Sequence, residues 1–388
     1  MPSLPEPDQY SLQQTEAAEK AIREAMERAG GELDFASFVH EALYAPGLGY
    51  YTGSARKFGA EGDFVTAPEI SDLFGHCIAR QIAPVIQATG GNVLEFGAGR
   101  GTLAVTILER LESLGALPDE YQVLEVSPDL AERQRALIEK RLPGLVNRVR
   151  WLDVLPSSFS GVMLANEVLD AIPFERFVMR DGKPRQLTVG YDDSGFVFRE
   201  REASDAITAA VAVIEEELTE SLPDGYTSEL CLAAGAWTAD LVRRMQHGLL
   251  LCFDYGVDRR SYYAHERSDG WLRCHFRHHA HNDALLYPGI QDITTWIDFT
   301  AIAETAVDAG ADVAGYVTQA HFLAGGGLDE ELAVLADAPI EQQMATAAGI
   351  RTLTLPGEMG EHIKAIGFTK GDVAVPSALS LMDRTHVL

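Results

Sequence analysis

The stretch VLEFGAGRGT (93–102) constrains this chain more than any other. An apolar run (Val93, Leu94, Phe96) leads into three glycines, Gly97, Gly99 and Gly101. Leu103, Ile107, Leu108 and Leu111 then recur at helical spacing. The pattern reads as strand, tight turn, helix. Glycines let the backbone bend sharply and let a ligand approach the main chain. Dinucleotide-binding proteins use such a turn, and so do others, so the rest of the chain must decide what it holds.

From residue 91 onward strands and helices alternate. Strands are predicted at 92–96, 121–126, 148–152, 161–165 and 249–254, with helices at 101–114 and 128–141. This alternation implies a parallel sheet covered on both faces. Upstream, amphipathic helices are predicted at 11–30 and 34–44, the second with Asp34 as N-cap. A glycine-rich loop with aromatics follows at 45–68, then a helix at 69–88. A loop of that length inside a compact domain is more often functional than idle. The alternation breaks at 174–200, where period-two patterning with DG and DSG turns predicts a β-meander. Helices are predicted at 204–219, 228–246 and 293–309. GYVTQAHFL and IKAIGFTKG read as the last two strands, separated by a helical insert at 329–348. The expected organisation is an N-terminal helical region with a covering loop (1–90), the first part of the sheet domain (91–171), an insertion of meander and helices (172–247), and the second part (248–388).

With 388 residues, 46% of them hydrophobic, the chain can bury a sizeable core. No apolar run is long enough for a membrane span, and the N-terminus carries neither an apolar signal core nor the basic character of a transit peptide. A cytoplasmic location is therefore expected. The four cysteines are scattered without a CxxC pair, which fits a reducing compartment. The net charge of −27 repels nucleic-acid phosphates, and no basic patch of any size offsets it.

Two details argue against a pyrophosphate at the glycine turn. Thr102 stands where a dinucleotide fingerprint wants Gly or Ala, and Glu95 ends the strand with a carboxylate facing the ligand. That placement is poor for a phosphate and good for a cation. S-adenosylmethionine carries a sulfonium and an ammonium and no phosphate. Glu125 ends the next strand, where an acid can accept hydrogen bonds from both ribose hydroxyls, and Asp153 follows the third, where an adenine amino group could lie. Each acid alone is more often a solvated loop residue. Three at successive strand ends beside a glycine turn are a stronger signal.

At the fourth strand end, ANEVLDAIP places Asn166, Glu167 and Asp170. On a helical turn both carboxylates would share one face. Two carboxylates can hold a guanidinium by bidentate bonds and aim one nitrogen at a methyl donor. The plainer alternative is an acidic cap on a short helix. Asp254 and Tyr255 follow directly on the fifth strand. Beyond them His275, His278, His279 and His281 crowd together, in spacing that matches no common metal pattern. No metal is expected there, and His275 is read as a substrate contact with Tyr255. A hydrolase lacks its parts: there is no G-x-S-x-G elbow and no phosphate loop.

LGYY, GDFVTAPEIS, LEFGAGRGTL, ANEVLDAIP, FDYG, PG-x-QDIT-x-x-x-DF, TQ-x-x-FL and PGEMGEHIKA stand in one order from about 33 to 370. In this ordered set the chain resembles the MidA-like family of SAM-dependent methyltransferases, which includes the mitochondrial complex I assembly-factor arginine methyltransferase. The resemblance implies an α/β class I methyltransferase (Rossmann-like) seven-stranded sheet with an N-terminal helical region and an α+β insertion before strand five. It implies that Glu95, Gly97, Gly99 and Gly101 hold the methionine part of SAM, Glu125 the ribose and Asp153 the adenine end. Asn166 joins the cofactor set, and the GDFVTAPE loop nominates Asp63, Thr66 and Glu69 as its cover. Thr66 and Glu69 also have the spacing of a capping box. Glu167, Asp170 and Asp254 are the catalytic candidates.

Trp271 and Trp296 depart from the family pattern, in the G-T-L stretch and the D-I-T-x-x-x-D-F run, and mark where the substrate entrance could differ. The expected activity is SAM-dependent methylation of protein arginine, with a complex I subunit or similar protein as partner. The alternatives are a methyltransferase for a small molecule or another side chain, and a SAM-binding assembly chaperone. The meander offers a homodimer interface, though an exposed sheet edge in a monomer reads the same way.

Overall fold

The computed structural model describes residues 4–53, 65–335 and 338–388. The chain divides into two compact units, each assembled from three segments. One comprises 65–169, 237–256 and 300–388, the other 1–64, 170–236 and 257–299.

The first unit carries the sheet that the glycine turn announced. Among its strands are β1 (Asn92–Phe96), β2 (Tyr121–Leu124), β3 (Val149–Leu152), β4 (Phe159–Asn166), β5 (Met245–Val257), β6 (Asp312–Thr318) and β7 (Ile363–Lys370). They follow one another in the order β6-β7-β5-β4-β1-β2-β3. β3, β2, β1, β4 and β5 are parallel, and β7 runs antiparallel to both β5 and β6. The residues Val162, Leu164, Leu249, Leu251 and Phe253 on β4 and β5 are fully buried, as strands covered on both faces require. Against them pack α1 (Asp72–Thr89) and α2 (Thr102–Ser113), through Ile78, Ile82, Val105 and Leu108 among others. A further helix, α3 (Pro128–Arg141), follows β2. At some 0.8 kcal/mol per buried methylene, this cluster is the main source of the unit's stability. The buried Glu331 carboxylate ties the later helices to this core, pairing with Arg80 at 3.3 Å and Arg110 at 2.5 Å.

The second unit holds the meander Glu175–Arg180, Lys183–Asp192 and Gly195–Glu202, extended by Leu33–Asp34 and Thr227–Leu230. Helix Gln9–Arg28 buries Ala18, Ile22, Ala25 and Met26. Helix Phe35–Tyr44 starts on Asp34, whose carboxylate accepts from the Ser37 amide at 2.7 Å. A three-stranded sheet orders His279–His281, Arg273–Phe276 and Asp292–Thr294.

Several predicted elements are corrected. The helix read at 228–246 begins only at Leu232, because Thr227–Leu230 pairs with Glu175–Arg180. The helix read at 293–309 begins at Phe299, because the β-branched residues before it are drawn into short strands. GYVTQAHFL is a strand only to Thr318, whose hydroxyl caps helix Gln319–Gly325 through the His321 amide. The helix read from 69 is broken at Ser71, which ends Ala67–Ile70 and caps α1.

Candidate active site

The register of the parallel strands sets the site. Phe96 lies opposite Leu124 and Ala165, Leu124 opposite Leu152, and Asn166 opposite Phe253. The next residues, Gly97, Glu125, Asp153, Glu167 and Asp254, therefore line one edge of the sheet. Ligands of open α/β sheets bind at this carboxyl-end edge.

The turn itself is held by backbone that side chains resist. Gly97, Gly99 and Gly101 have φ of 58°, 53° and 88°, in the left-handed region. At Gly99 a Cβ would meet nothing within 4 Å, so its main chain opens outward. The amide of Gly97 donates to the Leu124 carbonyl at 3.0 Å, tying the turn to β2.

Glu95 does not stand in the open. It is buried, and the Tyr121 hydroxyl donates to its Oε2 at 2.7 Å. Burial pushes its carboxyl up to about 7; the Tyr121 bond opposes this and the nearby Glu125 charge adds to it. Glu125 is half-buried and accepts from the Ser127 amide at 3.0 Å and from Gln134 at 2.9 Å. Asp153 is exposed at the end of β3. Glu69 accepts from the Thr102 hydroxyl at 2.5 Å and pairs with Arg100 at 3.6 Å, so it braces the glycine turn. Thr66 makes no side-chain cap bond, which removes the capping-box reading. Asp63 lies outside the described residues.

The strand-four end differs from the expected helical turn. Residues after Asn166 are not helical, and Glu167 has φ of 52°, rare for a side chain with a Cβ. Its amide donates to the Phe253 carbonyl at 2.8 Å, and its Oε1 lies 3.4 Å from the Ala67 amide and 3.3 Å from Asn166 Nδ2. Asp254 is buried and holds this segment: Oδ2 accepts from the Val168 and Leu169 amides at 3.1 and 2.8 Å, Oδ1 from the Tyr255 amide at 2.9 Å. A carboxylate committed to three backbone amides keeps a strained neighbour in place. Tyr255 is half-buried beside it.

Asp170 and His275 belong to the other unit. There the Tyr51 hydroxyl donates to Asp292 at 3.0 Å, and the Tyr44 and Tyr51 rings stack at 5.5 Å. Burial pushes the Tyr51 hydroxyl well up, helped by the charges of Asp292 and Asp170, which places these acids near one ring. The His275 imidazole is pushed down, chiefly by burial. Among the described residues no group of three His, Cys, Asp or Glu side chains is arranged to hold a metal. Trp271 and Trp296, the two departures, stack on each other with centroids 4.3 Å apart and 14° between planes.

Sequence reasoning missed Gln134, Tyr121 and Trp151. Gln134 is signalled only as a polar residue at the centre of the buried stripe Leu130, Gln134, Ile138 of α3. Nothing in the sequence marks the other two: Tyr121 on β2 reaches Glu95 on the neighbouring β1, and Trp151 on β3 reaches Gln134 on α3.

The residues present suit S-adenosyl-L-methionine. Glu125 offers a fixed carboxylate to a ribose diol, and the turn offers open main chain. Asn166 Oδ1 is buried without a hydrogen-bond partner among the described residues, an acceptor suited to an ammonium group.

Comparison with known proteins agrees. Residues 77–317, more than half of the chain, match the family described as "Putative S-adenosyl-L-methionine-dependent methyltransferase". The chain is similar to the mitochondrial protein arginine methyltransferase NDUFAF7 of Danio rerio (27% identical, 87% of this chain and 83% of that protein). It is similar to that of Mus musculus too (29% identical, 86% and 80%). A solved structure from Burkholderia thailandensis, a COG1565 superfamily protein bound to S-adenosyl-homocysteine, is 40% identical, with a TM-score of 0.94 over 100% of both chains. Its mixed α/β architecture is the methyltransferase fold, and S-adenosyl-L-methionine is the cofactor. The chain belongs to the family of S-adenosyl-L-methionine-dependent methyltransferases.

Proposed function

We propose that this methyltransferase acts on the guanidinium of arginine in a protein, and that its sheet is the class I seven-stranded form. The observation that carries the reading is Glu167. It sits in a left-handed conformation at the ligand edge of the sheet, next to an Asn166 oxygen that has no hydrogen-bond partner among the described residues, and is held by the Asp254-bound segment. A carboxylate maintained there at a conformational cost of about 1–3 kcal/mol fits a cationic acceptor.

When bound, the cofactor supplies an electrophilic methyl group. The protein's part is to place the acceptor nitrogen in line with it, and positioning of this kind is worth several orders of magnitude in rate. In this reading Glu167 takes the acceptor guanidinium, and Asp254 acts through the backbone it holds. Gly97, Gly99 and Gly101 take the methionine part, Glu125 the ribose, Asp153 the adenine end. Asn166 takes the ammonium, and Thr66 and Glu69 cover the cofactor. Tyr255 is assigned to substrate contact. The names of the NDUFAF7 relatives support arginine as target. We extend the reading to a respiratory-complex subunit as partner and to a cytoplasmic site of action.

The test is transfer of labelled methyl from S-adenosyl-L-methionine into a lysate of source cells lacking this gene, followed by hydrolysis to amino acids. Wild type should yield methylarginine, and Glu167→Gln about 100-fold less or none. Label confined to small molecules, or to a residue other than arginine, would overturn the target.

A further inference from the structure

We propose that Gln134 is the positioning residue that locks the glycine turn and the Glu125 carboxylate into the arrangement that takes S-adenosyl-L-methionine. The proposal rests on the cofactor reading of this sheet edge. Gln134 is fully buried on the inner face of α3, between Leu130 and Ile138, where packing alone would favour an apolar residue. Its amide is spent on three groups. Nε2 donates to the Gly99 carbonyl at 2.8 Å and to Glu125 Oε2 at 2.9 Å, and Oε1 accepts from Trp151 Nε1 at 2.8 Å.

The orientation of that amide is dictated by chemistry. An indole N–H can only donate, so Trp151 selects the Gln134 oxygen. The amino group, with both hydrogens, is thereby turned toward the turn and the acid. A reversed amide would set an oxygen against the Gly99 carbonyl and against a carboxylate. The stem of Gln134 also fits under the turn: a Cβ on Gly101 would lie 3.2 Å from its Cγ. With the Ser127 amide on Oε1 at 3.0 Å and Gln134 on Oε2, both oxygens of Glu125 are anchored from behind. One side chain thus links the segments assigned to the methionine part, the ribose and the adenine end of one ligand.

The test uses the full chain and S-adenosylhomocysteine as probe, by titration calorimetry and thermal shift. Gln134→Met keeps length and packing and removes all three bonds. It should weaken binding by at least 10-fold. In a Glu125→Gln background the same change should cost less than threefold, because the two groups act as one; a purely structural glutamine would give additive losses. Trp151→Phe should weaken binding two- to fivefold by releasing the amide orientation. A folded Gln134→Met protein that binds within twofold of wild type would overturn the proposal. Should that variant not fold, Trp151→Phe carries the test, and binding equal to wild type overturns it. Failure of the wild-type protein to bind the probe would instead sink the cofactor reading itself.

Discussion

The Glu95 carboxylate is buried and accepts a hydrogen bond from the Tyr121 hydroxyl. Its place two positions before Gly97 identifies the turn as one built beside a carboxylate, yet the side chain is buried on Tyr121 rather than open to a ligand. The alternation of a strand decides such a question, and the partner across the sheet is invisible until strand order is known. A consequence follows for pH. The usual carboxyl value of 4.5 applies to the unfolded chain, and the folded value is about 7. The folded state therefore holds the proton longer, and stability falls as pH rises from 4.5 to 7, then levels off. The loss is on the order of 3 kcal/mol. Glu95→Gln keeps an acceptor for the Tyr121 hydroxyl and removes the titration. Its denaturant midpoint should match wild type near pH 4.5 and exceed it at pH 8. An equal difference at both pH values would remove Glu95 as the cause.

At the scale of elements, the glycine turn, the strands of the sheet and helices Thr102–Ser113 and Pro128–Arg141 were legible because burial on both faces writes long apolar runs. The candidate acids were legible for the same reason: each falls just after such a run. What stayed hidden depends on pairing partners. Thr227–Leu230 looks helical until Glu175–Arg180 lies beside it. The turn after Asn166 looks helical until Asp254 takes the Val168 and Leu169 amides. The tryptophans at 271 and 296 look like two separate departures, and the structure makes them one: each is the packing partner of the other. Stacked aromatic pairs contribute about 0.5–1.5 kcal/mol beyond their buried area. A double-mutant cycle with Trp271→Leu and Trp296→Leu should give a coupling of about 1 kcal/mol in unfolding free energy. Additive losses would mean that the two departures are independent, and each would then need its own explanation.

For the whole molecule, two kinds of information meet at one sheet edge. Strand order and register bring Gly97, Glu125, Asp153, Glu167 and Asp254 into a row from widely spaced parts of the chain. Family membership gives S-adenosyl-L-methionine as the cofactor, and we propose that this row holds it. The net charge of −27 suits a cationic acceptor and disfavours nucleic acid, and no helix among the described residues is long and apolar enough to cross a membrane. The most direct measurement is a crystal structure of this protein with S-adenosylhomocysteine. Both ribose hydroxyls are expected on the Glu125 carboxylate, the homocysteine chain against Gly97–Gly101 with its ammonium on Asn166 Oδ1, and the sulfur facing Glu167. A ligand seated with its ribose away from Glu125, or with its sulfur turned from Glu167, would contradict this arrangement.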